Sequence, residues 1–186
     1  MRKHFGGWLA ALTVGFFVVA APAQAQLVAG RDYTVIEPAQ PTDTPSAIEV
    51  VEFFSYACPH CSDLNPMIHQ WAAKLPSDVV FKRVPVSFNP FYELMARLFY
   101  SLETTGDLAR LDDPLFNAIH VKGLKLINEK SITEWVTSQG VDALKFGDAW
   151  KSFRFMPRAN RSGMMWIWNR LREQRQDLPE LIWKIF

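Results

Sequence analysis

A chain of 186 residues that is 49% hydrophobic, 21% charged and 13% aromatic is neither disordered nor collagen-like. Its two cysteines cannot build the multi-disulfide framework of a small secreted scaffold. A formal net charge of +1 gives phosphate backbones little to attract, so no nucleic-acid partner is expected.

Met1-Arg2-Lys3-His4 is a short basic start, followed by an apolar run from Trp8 to Ala21 and the small-residue pattern Ala23-Gln24-Ala25. As a helix the run reaches about 21 Å, short of the roughly 30 Å hydrocarbon core. Residues 1–25 therefore read as a cleaved secretory signal. Cleavage leaves about 160 residues, one domain's worth, and losing Arg2 and Lys3 turns the net charge to −1. Export also places the chain where a disulfide can persist.

In the mature chain, Tyr33–Ile36 is a short strand candidate within a Pro/Thr-rich stretch. Ile48–Phe54 is β-branched and aromatic on both alternating faces, which predicts a central strand covered on both sides. Pro59 to Leu75 has a helical pattern, with Leu64, Ile68, Trp71, Ala72 and Leu75 on one stripe and Pro66 as a predicted kink. Val79–Val86 is the next strand, with Pro85 marking an end or edge. Strand, helix and strand make a βαβ unit.

From about 89 to 153 the pattern is helical throughout, an all-helical subdomain inserted after the βαβ unit. Leu94, Leu98 and Leu102 mark one helix, stopped by Gly106. Ser131-Ile132-Thr133-Glu134 predicts a capping box and a helix ending near Gly140. Val141 to Phe153 carries Leu144, Phe146, Ala149, Trp150 and Phe153 at helical spacing.

Both cysteines lie in Cys58-Pro59-His60-Cys61, between the first strand and the first helix. Pro59 suits the first helical position and keeps the residue before it out of helical geometry. Cys58 is thus predicted at the cap, its sulfur facing the unpaired N–H groups of the first turn. Those donors, the helix dipole and a protonated His60 favour a thiolate. One helical turn brings Cys58 and Cys61 within disulfide range. Stabilising the Cys58 thiolate stabilises the dithiol over the disulfide, which makes the disulfide an oxidant. Cys61, deeper in the helix, is the resolving thiol.

Glu52 lies in the apolar strand six residues before Cys58. Two readings stand beside each other: a buried proton relay to Cys61, or a side chain that pairs with Lys82 or Arg83 on the neighbouring strand or simply faces solvent. Zinc is not expected, because a closed site needs two more ligands and neither His69 nor His120 is spaced to supply one. No cofactor motif stands out. Phe88, Phe91, Tyr92, Phe99 and Tyr100 divide between a peptide-binding groove and helix-core packing.

Val51-Glu52-Phe53-Phe54-Ser55-Tyr56 leading into Cys58-Pro59-His60-Cys61, with Val84-Pro85-Val86-Ser87-Phe88 and the helices after it, resembles the DsbA family of bacterial thiol:disulfide interchange proteins. The resemblance covers roughly Tyr33 to Phe153. It implies a thioredoxin-like α/β fold with a helical insertion, in a periplasmic monomer. It also implies oxidation of reduced exported proteins and reoxidation by a DsbB-like membrane quinone reductase. On the same basis Cys58 is the nucleophile, Cys61 resolves, Pro59 and His60 tune the potential, and Glu52 is the buried acid.

The family also places a cis-proline and a strand hairpin after the insertion. Past Phe153 the only prolines are Pro157 and Pro179, with no strand–turn–strand pattern after either. The tail from about 154 to 186 is rich in arginine and tryptophan instead. This predicts that the hairpin and cis-proline are missing, and that translation leaves the ancestral frame between about Phe153 and Ser162. The alternative to an active oxidase is therefore a frame-disrupted or truncated relative, with an intact motif but poor folding.

Overall fold

The computed structural model describes residues 26–37 and 42–152, which fall in two units, Met1–Pro38 and Ala39–Phe186. The expected signal at 1–25, and the tail with its expected loss of hairpin and cis-proline, lie outside the described residues. In the first unit, Tyr33–Ile36 does not form the expected strand. Tyr33 makes only an isolated bridge with Ala29, because the Asp32 carboxylate accepts from the Val28 N–H at 2.8 Å and curls the chain into a turn.

The second unit opens with β1 (Ile48–Phe54), α1 (Pro59–Ala72) and β2 (Val79–Pro85). The two strands pair in parallel, with Glu52 opposite Arg83 and Phe54 opposite Pro85. This is the predicted βαβ unit. Pro85 closes β2 as expected, since it has no N–H to continue a ladder. β1 is less covered than predicted. Val50 to Phe53 are half-buried and only Phe54 is fully enclosed, because among the described residues the sheet has two strands.

Helix α1 runs unbroken past Pro66. Its predicted apolar stripe is not its buried face: Leu64 is 39% and Trp71 42% exposed, whereas Asn65 is buried. Asn65 turns inward because its amide donates to Asp113 Oδ1 at 2.6 Å.

The predicted insertion comprises α2 (Pro90–Thr105), α3 (Leu108–Phe116), a π-helical turn (Asn117–Val121), α4 (Glu129–Ser138) and α5 (Ala143–Ser152). Asn89 caps α2 by accepting from Phe91 and Tyr92 N–H groups at 3.0 and 3.1 Å. Gly106 ends it at φ 81°, a left-handed conformation that glycine adopts without a Cβ penalty. Helix α4 is capped three residues before the expected Ser131. Asn128 is its cap, accepting from the Ser131 N–H at 2.9 Å, while the Ser131 hydroxyl accepts from the Asn128 N–H. Asparagine caps as well as serine, so the motif shifts forward by one turn.

The core is centred on these helices. Met95, Leu98 and Leu102 of α2, Leu115 of α3, Ile132 and Val136 of α4, and Phe146 and Trp150 of α5 form one cluster. Phe54 and Tyr56 enter it from the end of β1, and Cys61 packs against it. The chemistry-bearing loop is thus anchored in the helical subdomain. Among the described residues no helix is long and apolar enough to cross a membrane.

Candidate active site

The path from β1 into α1 is fixed by hydrogen bonds close to the motif. The Ser55 carbonyl accepts from the Cys58 N–H at 3.0 Å, and its hydroxyl oxygen accepts from the Ala57 N–H at 3.1 Å. Cys58 is the N-cap of α1, extended at φ −93° and ψ 117°, with Pro59 at the first helical position. Both cysteines are free thiols and half-buried, while Pro59 and His60 are exposed.

The expected bond from the first-turn amides to the Cys58 sulfur is not made. A neutral thiol accepts weakly, whereas the field of the helix end acts on the charged form. Cys58 instead makes itself felt on Cys61, whose thiol it helps to keep protonated.

Cys61 is pushed up to about 12, chiefly by burial. The Ser55 backbone opposes that shift, while Cys58 and the charge of Glu52 add to it. Burial, then the charges of Cys58 and Cys61, also raise the Tyr92 phenol, which places Tyr92 within electrostatic reach of both thiols. Its ring lies 5.7 Å from that of Phe88. Phe88 and Phe91 are exposed and Phe99 is in the core, so the five aromatic candidates divide between site and core.

Glu52 adopts the second of its two sequence readings, and its partner is Arg83. The Arg83 Nε donates to Glu52 Oε2 at 2.7 Å, while Lys82 turns to Glu49 and Asp43. In-register parallel pairing puts Glu52 and Arg83 side by side. Arg83 also donates through Nη1 to Asp112 Oδ2 at 2.7 Å. The three side chains are 12%, 11% and 7% exposed, a network largely removed from water. The guanidinium lies 3.9 Å over the Phe54 ring, where the aromatic face attracts it.

Asp112 gathers two further partners. The Tyr56 hydroxyl donates to its Oδ1 at 2.6 Å, and His69 Nε2 lies 3.1 Å from its Oδ2. Burial and the Asp112 charge raise the Tyr56 phenol well above its usual range, so it stays a neutral donor. His69, Asp112 and Asp113 cluster closely enough to hold a cation, but neither cysteine belongs to that group. A cleft of about 1110 Å³ reaches His69, Arg83 and Asp112, and likewise touches neither cysteine.

Sequence reasoning placed Cys58, Pro59, His60 and Cys61 on one helical turn, where they are. It missed Tyr56, Asp112 and His120. The His120 Nε2 lies 2.8 Å from the Tyr56 carbonyl. That contact spans 64 residues and leaves no local pattern.

The raised Cys61 thiol fixes a pH dependence. An unfolded thiol ionises near about 8.5, whereas folded Cys61 does so near about 12. Between those values the folded state holds the extra proton. The reduced protein is therefore expected to keep this stability below about pH 8.5 and to lose it as pH rises toward 12. Melts of the reduced protein and of Cys61→Ala across that range check this: the slope should be steeper in the first, with the raised Tyr56 and Tyr92 phenols supplying what remains in the second.

No family model matches the chain. It is 41% identical over 145 residues to the thiol:disulfide interchange protein DsbA of Bordetella pertussis, covering 78% of this chain and 68% of that protein. It is 38% identical over 157 residues to the protein of the same name from Bordetella parapertussis, covering 84% and 74%. The crystal structure of Pseudomonas aeruginosa DsbA superposes with a TM-score of 0.65 at 35% identity, over 68% of this chain and 66% of that one. The oxidoreductase NmDsbA1 of Neisseria meningitidis gives a TM-score of 0.61 at 28% identity, over 69% and 68%. The fold is thioredoxin-like, as expected. Similarity of this extent does not favour a frame-disrupted chain with an intact motif and little fold.

Proposed function

From the premise that this chain belongs to the DsbA family, and is by that membership a thiol:disulfide oxidoreductase, we propose that it donates the Cys58–Cys61 disulfide to reduced exported proteins in the periplasm. The observation that carries this reading is the asymmetry of the two thiols. Cys58 stands half-buried at a helix N-terminus, while Cys61 is packed on the core and pushed up to about 12.

The reaction follows from that asymmetry. A substrate thiolate attacks the Cys58 sulfur, the Cys58–Cys61 bond breaks, and Cys61 leaves with the electron pair. Cys61 takes up a proton as it leaves and ends as a thiol packed against the core. A second substrate thiolate then attacks the substrate sulfur of the mixed disulfide and expels Cys58. The helix end and His60 stabilise Cys58 as a leaving thiolate. The substrate loses two electrons and gains a disulfide; the enzyme ends as the dithiol.

In this reading Glu52 acts on Cys61 through its charge while Arg83 holds it in place. The exposed Phe88 and Phe91, with Tyr92 in electrostatic reach of the thiols, suit unfolded polypeptide. Residues 1–25 serve for export, and 26–186 form the working domain with its insertion at about 89–153. A DsbB-like quinone reductase reoxidises the pair, and the chain acts as a monomer. The test mixes the oxidised mature chain with a reduced, unfolded disulfide protein. One substrate disulfide per chain is expected; no transfer overturns the proposal.

A further inference from the structure

Tyr56 is buried and held at both ends by the helical subdomain: its hydroxyl by Asp112 of α3, its carbonyl by His120 of the π-helical turn. The next peptide N–H, that of Ala57, is held by the Ser55 hydroxyl, and the one after it, that of Cys58, by the Ser55 carbonyl. Those two bonds are made within the loop itself. The one to the Tyr56 carbonyl comes from 64 residues away and ties the loop to another layer of the fold.

The π turn makes this contact possible. The Lys122 N–H reaches back to the Asn117 carbonyl, one residue further than in an α-helix. His120 stacks on Phe116 with ring centroids 6.1 Å apart at 29°, which fixes the plane of the imidazole.

We infer that His120 is a positioning residue for Cys58, clamping the Tyr56–Ala57 peptide so that the nucleophile enters α1 in its extended cap conformation. A carbonyl has no proton to give, so Nε2 must carry one. The clamp is therefore an Nε2–H donated to the carbonyl oxygen. Without the donor, the buried Tyr56 carbonyl loses its partner. The peptide then rotates toward water, and the geometry that sets Cys58 against the helix end relaxes. Cys58 should then become a poorer leaving group.

This inference rests on the proposed oxidase reading, but its test does not need a substrate. Nitrogen NMR of the wild-type mature chain should show a protonated Nε2 at neutral pH. His120→Leu should shift the Cys58 titration upward by up to about one pH unit and weaken the disulfide as an oxidant of glutathione up to about tenfold. His120→Gln places a neutral N–H at nearly the same reach and should restore both. The inference is overturned by an unprotonated Nε2, by a folded His120→Leu protein with both readings unchanged, or by a glutamine variant as impaired as the leucine one. Should His120→Leu fail to fold, the tautomer and the glutamine variant still decide. A wild-type chain that oxidises no substrate overturns the oxidase reading alone, because the titration comparison stands without it.

Discussion

A Cys58→Ser variant is expected to transfer no disulfide, because the Cys58–Cys61 bond can no longer form and a hydroxyl cannot replace the sulfur that substrate attacks. The fold should not suffer. The Cys58 sulfur makes no cap bond, whereas serine is among the best N-cap residues, worth about 1 kcal/mol over a non-capping one. Loss of activity with a melting temperature equal to or above that of the reduced parent therefore separates chemistry from stability. The complementary variant, Cys61→Ser, should attack a substrate disulfide through Cys58 and then stall. With no resolving thiol, the mixed disulfide accumulates and is visible as a covalent adduct on a non-reducing gel. Adduct formation through Cys61 in Cys58→Ser, at a comparable rate, would reverse the two roles.

Arg83→Met should cause the largest loss of stability of any single change in the site. One guanidinium satisfies two carboxylates, Glu52 and Asp112, that are otherwise largely shielded from water. Removing one partner of a buried ion pair costs about 3–5 kcal/mol, because the remaining charge stays buried without compensation. The whole domain has about 5–15 kcal/mol to lose. For a chain of this size that is a drop of roughly 6–20 °C in melting temperature. Arg83→Lys should not rescue it, since a single ammonium cannot hold two carboxylates in the geometry of a guanidinium fork. A triple change, Glu52→Gln, Arg83→Met and Asp112→Asn, should recover part of the loss because no buried charge is left unpaired. If Arg83→Met melts within about 1 kcal/mol of the parent, the network is better hydrated than its burial indicates.

Much of the site was legible because its signals are local. β-branched residues followed by Cys-Pro-His-Cys announce a strand, a cap and a first turn within fourteen residues, Ile48 to Cys61. Pro85 and Gly106 mark their element ends through the missing N–H of one and the left-handed backbone of the other. The Glu52–Arg83 pair was half legible. Parallel register limits Glu52 to near neighbours on β2, but Lys82 and Arg83 differ only in the face that each presents.

What stayed hidden depends on tertiary distance. Tyr56 reads as one more apolar residue before the motif until Asp112, 56 residues on, accepts its hydroxyl. His120 has no sequence neighbour to give it a role. Helix α1 misled in another way: a stripe of Leu64, Ile68 and Trp71 reads as a buried face, but Asn65 is turned inward by its bond to Asp113. Side-chain hydrogen bonds between elements can override an apolar pattern, and periodicity carries no trace of them.

The central claim is that the Cys58–Cys61 disulfide is an oxidant because its reduced form is favoured by the helix end acting on Cys58. Equilibrating the mature chain with a glutathione redox series, and measuring the fraction oxidised at each ratio, tests it most directly. The account predicts a midpoint well above that of a thioredoxin-type reductant, about −270 mV. A midpoint at or below that value would contradict it.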